Sequence, residues 1–298
     1  MKNFFAIIIS VGVIIFSSVV QAAEPPKISA DAAILVEAST GRIIYEKNSD
    51  MEREPASMTK MLTSILALEK LNPQDEIKVS RTAIFTEDTA LNWAENDSLS
   101  ATDMITAVML VSENGGAIAL AQAVSGNVTQ FADLMNEKAK LLDCTHSHFI
   151  NPNGLPAPNH YSTAADMARI AVYCMKNSDF RKIVETRRTS IHWLTPKDKW
   201  AELNNTNELL GSYRGANGIK TGWTMAAGGC LAASAKRGDL ELIAVVMHST
   251  DSKTRFEDVT DLFNYGLSAS AWLKALTRSK RGVRSLSAAA RRQPFAWA

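Results

Sequence analysis

Hydrophobic and polar positions follow different periods along this chain. Residues 32–47 run Ala32-Ala33-Ile34-Leu35-Val36-Glu37, then Ser39-Thr40-Gly41-Arg42, then Ile43-Ile44-Tyr45-Glu46-Lys47. Two short apolar runs around a glycine-containing turn predict a β-hairpin. A second hairpin is predicted over 228–250, turning at Arg237-Gly238-Asp239, with a β-branched apolar return strand. Between the hairpins the period becomes helical. Met58, Met61, Leu62, Ile65 and Leu66 share one face of a first helix, and further helices are predicted near 102–111, 116–124, 128–142 and 163–176. Residues 71–101 and 186–217 are polar and read as irregular. A last helix follows Asp251 and is expected to end near Gly266. Strands at both ends with helices between them imply one antiparallel sheet built from both chain ends. The helices then cover it and form a separate cluster beside it, an α/β architecture.

Composition adds boundaries. The chain has 298 residues, 46% of them hydrophobic and 21% charged, an ordinary globular balance. Met1-Lys2, an apolar run from Phe4 to Phe16 and Val20-Gln21-Ala22 predict a signal peptide over 1–23, cleaved after Ala22 or Ala23. That run is shorter than the roughly 20 residues a bilayer requires, so the protein is expected to be exported, to the periplasm or the outer face of the cytoplasmic membrane. The folded part is expected over 24–267, without repeats or a linker. Residues 268–298 carry seven Lys or Arg and no acid, whereas residues 1–267 have a balance of −6. This basic tail is read as disordered, or as peripheral on an anionic membrane surface. Cys144, Cys174 and Cys230 show no CxxC and read as buried thiols; no metal spacing, cofactor motif or nucleic-acid signature is found. His160 is read as a loop histidine helping to cap the helix that follows it.

Three short motifs carry candidate chemistry. In Pro55-Ala56-Ser57-Met58-Thr59-Lys60, proline suits a helix start and Lys60 falls on the face of Ser57. A serine needs a base, and a lysine serves only when neutral. Half-neutrality at pH 7 means lowering its pKa from ~10.4, a cost of roughly 4.6 kcal/mol, in the direction that burial, a helix N-terminus and a second cation all act. Alone, the Ser-x-x-Lys spacing arises by chance about once in a chain this long. Ser112-Glu113-Asn114 ends the apolar run 104–111 and presents a hydroxyl and a carboxamide. Ser125-Gly126-Asn127 has the same spacing but reads as a helix stop. Lys220-Thr221-Gly222 is the rarest; its ammonium and hydroxyl suit a carboxylate, and Gly222 lets a substrate backbone approach.

In this order the three motifs form the set known for penicillin-binding proteins and class A β-lactamases. The chain resembles the low-molecular-mass penicillin-binding proteins that act as D-alanyl-D-alanine carboxypeptidases. The likeness extends over nearly all of 28–267, including Asn151-Pro152-Asn153-Gly154-Leu155, 160–168, Asn205-Thr206-Asn207 and Asn264-Tyr265-Gly266. It implies a penicillin-binding-protein-like sheet with a helical subdomain, and a serine peptidase that removes the terminal D-Ala of peptidoglycan stem peptides. By that resemblance Ser57 forms an acyl-enzyme, Lys60 with Ser112 moves the proton, and Asn114 orients the substrate. Lys220, Thr221 and Arg255 hold its carboxylate, and backbone N–H groups of Ser57 and Trp223 hold the oxyanion. β-Lactams are the implied covalent inhibitors. Two features depart from the pattern. Glu113 stands where glycine is frequent and recurs in related endopeptidases, which keeps cross-link cleavage open as the alternative. The chain also ends soon after Gly266, where many of those proteins continue into a β-rich domain. A β-lactamase or a silent wall-binding protein is the remaining alternative; no Glu-x-x-Leu-Asn follows the second motif.

Overall fold

The computed structural model describes residues 24–279, with side chains to residue 270. The leader expected at 1–23, and the part of the basic tail from Lys280 onward, lie outside the described residues. Strands β1 (Ala32–Glu37) and β2 (Ile43–Lys47) form the first expected hairpin. β1 is buried on both faces, with Ile34 and Val36 in the larger apolar core and Ala33 and Leu35 in a second one, which explains its unbroken apolar run. A 3-10 turn, Ala56–Thr59, leads into α1 (Lys60–Lys70), so Ser57 precedes the α-helix rather than sitting in its first turn.

Next come β3 (Glu76–Lys78), α2 (Arg81–Ile84) and β4 (Ser98–Ser100), then α3 (Ala101–Leu110), α4 (Asn114–Ser125), α5 (Val128–Leu141) and α6 (Ala164–Lys176). Ser100, Asn127 and Thr163 cap the starts of α3, α5 and α6, each side chain accepting a backbone N–H three residues on. After α7 (Ser178–Glu185) come β5 (Arg188–His192) and β6 (Trp200–Asn204). The stretches read as irregular therefore contain two small antiparallel ribbons, β3 with β4 and β5 with β6. Their strands have three to five residues; β3, β5 and β6 each bury a single side chain, Ile77, Ile191 and Leu203, and β4 buries Leu99 between two serines, too little for a visible period.

β7 (Ala216–Thr224), β8 (Gly228–Arg237) and β9 (Leu240–Ser249) complete a five-stranded antiparallel sheet in the order β2-β1-β9-β8-β7. β7 is an edge strand. The last helix, α8 (Thr254–Ser279), continues past Gly266, where the sequence suggested an end. That glycine serves packing: a Cβ on it would stand 2.7 Å from Leu35 Cδ2 and 3.0 Å from Leu242 Cδ1. α8 covers one face of the sheet through Val259, Leu262 and Phe263, and α6 lies on the other. Helices α2 to α5 form the expected cluster beside the sheet, and the candidate site lies where that cluster meets β7.

Candidate active site

Ser57 sits in a turn compressed from two sides. Ala56 takes a left-handed φ of +47°, which costs a non-glycine residue of order 1 kcal/mol or more. Gly154 (φ +84°) presses so closely that a Cβ there would lie 1.9 Å from the Ala56 carbonyl oxygen. From the other side, a Cβ on Gly222 would lie 3.1 Å from both Ala56 Cβ and Ser57 N. Gly222 thus has a nearer reason to be glycine than substrate approach: it lets β7 cross the serine turn.

Lys60 is fully buried. Its Nζ lies 2.8 Å from Ser57 Oγ, 2.7 Å from Asn114 Oδ1 and 2.6 Å from the Asn153 carbonyl oxygen. The last two partners only accept, so they take two N–H bonds. A neutral amine then keeps its lone pair for the Ser57 hydroxyl. Burial foremost, and then the Lys220 charge, hold the Lys60 pKa well below its ordinary value, with Glu113 opposing. The neutral form that chemistry needs is the one the site favours.

Ser112, at φ +62°, ends the turn after α3 and lines the cleft. Glu113, with no exposed surface, does not. Its carboxylate accepts from Gly115 N (3.0 Å), Leu91 N (2.7 Å) and Trp93 Nε1 (2.9 Å), capping α4 and tying down the loop before β4. Asn114 was expected to orient substrate, but its carboxamide is engaged internally. Oδ1 faces Lys60, and Nδ2 donates to the carbonyls of Glu87 (2.9 Å) and Asp88 (3.2 Å). In this state Asn114 positions the lysine.

The opposite wall is β7. Lys220 is buried and donates to the Thr221 carbonyl at 2.9 Å; burial first, and Arg255 second, lower its pKa to about 7. Arg255 Nη1 donates to the Gly222 carbonyl at 2.7 Å, while its buried Nε has no partner among the described residues. Among the described residues no carboxylate lies within ion-pair distance of Lys60, Lys220 or Arg255. Thr221 Oγ1 lies 2.6 Å from Thr206 Oγ1, and the half-exposed Trp223 stands at the mouth. The cleft, of ≈ 260 Å³, brings together Ser57, Ser112, Asn114, Thr221, Gly222, Trp223 and Arg255. Sequence reasoning singled out no role for Asn153, Thr206 or Asp88, although Asn151–Leu155 and Asn205–Asn207 lie in stretches over which the family likeness extends.

Other candidates separate from this site. Gly126 (φ +84°) stops α4 and Asn127 starts α5, so Ser125–Asn127 is the helix stop it resembled. His160 does not cap α6, a role taken by Thr163. Its Nδ1 accepts from Ile150 N (3.1 Å) and Nε2 meets Thr59 Oγ1 (3.0 Å), and burial lowers its pKa to about 4, leaving a neutral cross-link. The three cysteines are separate buried thiols. A wider groove of ≈ 630 Å³ between Glu52–Glu54 and Pro156–Tyr161 contains no nucleophile–base pair.

Residues 19–251 match the family model described as D-alanyl-D-alanine carboxypeptidase. The chain belongs to that family. It is 35% identical over 244 residues to D-alanyl-D-alanine carboxypeptidase DacF of Bacillus subtilis, covering 80% of this chain and 62% of that protein's length. The crystal structure of the Streptomyces K15 DD-transpeptidase is similar with a TM-score of 0.78 at 30% identity, over 83% of this chain and 100% of that one. Penicillin-binding protein D2 of Listeria monocytogenes, in its ampicillin-bound form, gives 0.72 at 27% identity over 80% and 98%. The D-alanyl-D-alanine carboxypeptidase family fold is the one expected from the motifs, an antiparallel sheet made by both chain ends beside a helical subdomain.

Proposed function

We propose that this chain is a serine-type D-Ala-D-Ala carboxypeptidase that removes the terminal D-Ala of peptidoglycan stem peptides through an acyl-enzyme at Ser57. Lys60 carries this reading: it is buried, it spends two N–H bonds on acceptors, and its third direction faces the serine hydroxyl. Ser57 gives its proton to Lys60 as Oγ attacks the carbonyl between the two D-alanines. Backbone N–H groups of Ser57 and Trp223 hold the oxyanion; losing one such donor costs about 3–4 kcal/mol. The proton passes from Lys60, with Ser112, to the departing amine, and water then releases the acyl group. Lys220, Thr221 and Arg255, cations without counter-ions beside a hydroxyl, receive the substrate carboxylate.

The substrate places the reaction at the cell wall, outside the cytoplasm, in the periplasm or on the outer face of the cytoplasmic membrane. Among the described residues no helix is long and apolar enough to cross a membrane. The partners are stem peptides, β-lactams as covalent inhibitors and, for the basic segment from Ser268, an anionic lipid surface. Mass spectrometry of a pentapeptide monomer and a cross-linked dimer, each digested with the purified protein, tests the reaction. Release of D-Ala from the monomer is expected, and splitting of the dimer alone would replace this reading with an endopeptidase. Ser57→Ala is expected to abolish both D-Ala release and covalent labelling by fluorescent penicillin; undiminished labelling would refute the nucleophile.

A further inference from the structure

The two walls of the cleft differ in charge. β7 carries Lys220 and is bonded to Arg255, whereas the facing wall contributes one carboxylate to the lining, Asp88. Asp88 is exposed, and its carboxylate makes no hydrogen bond or ion pair among the described residues. Its backbone, by contrast, is tightly held. Asp88 takes a φ of +52°, and the carbonyls of Glu87 and Asp88 both accept from Asn114. Three and five residues further on, Leu91 N and Trp93 Nε1 donate to buried Glu113. Two consecutive residues of the 112–114 turn thus fix the loop on both sides of an unpaired carboxylate at the lip of the cleft.

We infer that Asp88 is a specificity-determining residue that receives an ammonium group on the peptide residue preceding the D-Ala pair. Stem peptides with a free side-chain amine are then the preferred substrate class. The inference rests on the carboxypeptidase reading. With the terminal carboxylate held by Lys220, Thr221 and Arg255, the upstream part of the peptide is what remains to face Asp88. A cation there is attracted and a second carboxylate repelled. Glu113 gains an indirect role in substrate choice, through the loop that carries Asp88.

The test compares kcat/KM for Nα-acetyl-L-Lys-D-Ala-D-Ala and its Nε-acetylated counterpart, in the full chain and in Asp88→Asn, since asparagine tolerates positive φ. The full chain is expected to favour the free amine by about 1.5- to fivefold at low ionic strength, the range of an exposed ion pair, and less at about 0.5 M salt. In Asp88→Asn the ratio of the two substrates is expected to fall to one. A ratio of one in the unmodified chain, or a preference kept by Asp88→Asn, overturns the assignment of Asp88 while penicillin labelling of Ser57 stands. Failure of both labelling and D-Ala release overturns the carboxypeptidase reading and this inference with it.

Discussion

At the scale of the residue, the cleft is governed by buried cations that lack counter-ions. Lys220 lowers the pKa of Lys60, and Arg255 lowers that of Lys220, so each charge makes the next lysine easier to deprotonate. The proposed mechanism needs Lys60 neutral and Lys220 charged, which sets the expected pH profile. Activity rises as Lys60 loses its proton and falls as Lys220 does, near pH 7 in the free protein. Removing Arg255 takes a positive neighbour from Lys220, so its pKa rises and it stays charged to higher pH. Arg255→Gln is therefore expected to raise KM through the lost carboxylate contact and to move the alkaline limb of kcat/KM upward. Initial rates between about pH 5 and 10, a span bracketing these groups, measure it. A limb that moves downward would remove Lys220 from the carboxylate clamp.

At the scale of the element, β7 and the 151–155 loop grip the serine turn, and two glycines allow the grip. In Gly222→Ala the new methyl meets Ala56 Cβ, Ser57 N and the Pro55 carbonyl at 3.1–3.2 Å. Backbone has to shift, at about 1–3 kcal/mol. A displacement of the nucleophile also slows acylation, by on the order of 10²-fold. Thermal denaturation and the rate of penicillin labelling check both, and an unchanged labelling rate would show that the turn does not depend on β7. These contacts mark the limit of what the sequence makes legible. Helices α3 to α6 could be read because each repeats one period over ten residues or more, and the two hairpins because apolar runs flank a glycine-containing turn. Ser57, Lys60, Ser112, Asn114 and Lys220 could be read because fixed spacing ties each to its partner. Asp88, Thr206 and the Asn153 carbonyl could not, being single polar groups on loops whose value depends on what folds against them. Gly266 misled for the same reason: a helix-ending residue in the local pattern is a close-packing residue once Leu35 lies across it. Glu113 had a legible position and an illegible direction, since nothing local says that its carboxylate turns inward.

At the scale of the molecule, the sheet joins both chain ends, and Asp258 on α8 fastens that junction. Its carboxylate accepts from Ser29 N (2.7 Å), Ser29 Oγ (2.9 Å), Ala30 N (3.0 Å) and Ser249 Oγ (2.8 Å). The cleft opposes this stability, because the same core contains Lys60 and Lys220 with no carboxylate within ion-pair distance among the described residues. The sign follows from proton linkage. A lysine whose pKa falls on folding binds fewer protons in the folded state, so stability rises with pH between the folded and unfolded values. For Lys220 that window opens near pH 7 and closes at a lysine's ordinary value of 10.5. The cost of burying it is greatest at and below pH 7 and declines by about 1.4 kcal/mol per pH unit above it. Lys220→Met keeps a long side chain and removes the charge. It is expected to be more stable than the unmodified chain at neutral pH, with the advantage shrinking as pH approaches 10, and to label with penicillin more slowly at every pH. Urea unfolding at several pH values measures the first effect and labelling kinetics the second. If the variant gains no stability near pH 7, the cationic wall is better solvated than its burial implies, and the depressed lysines need another cause. If it gains stability and loses acylation together, the unpaired cations are a strain that the sheet and Asp258 sustain so that the cleft can take an anionic peptide end.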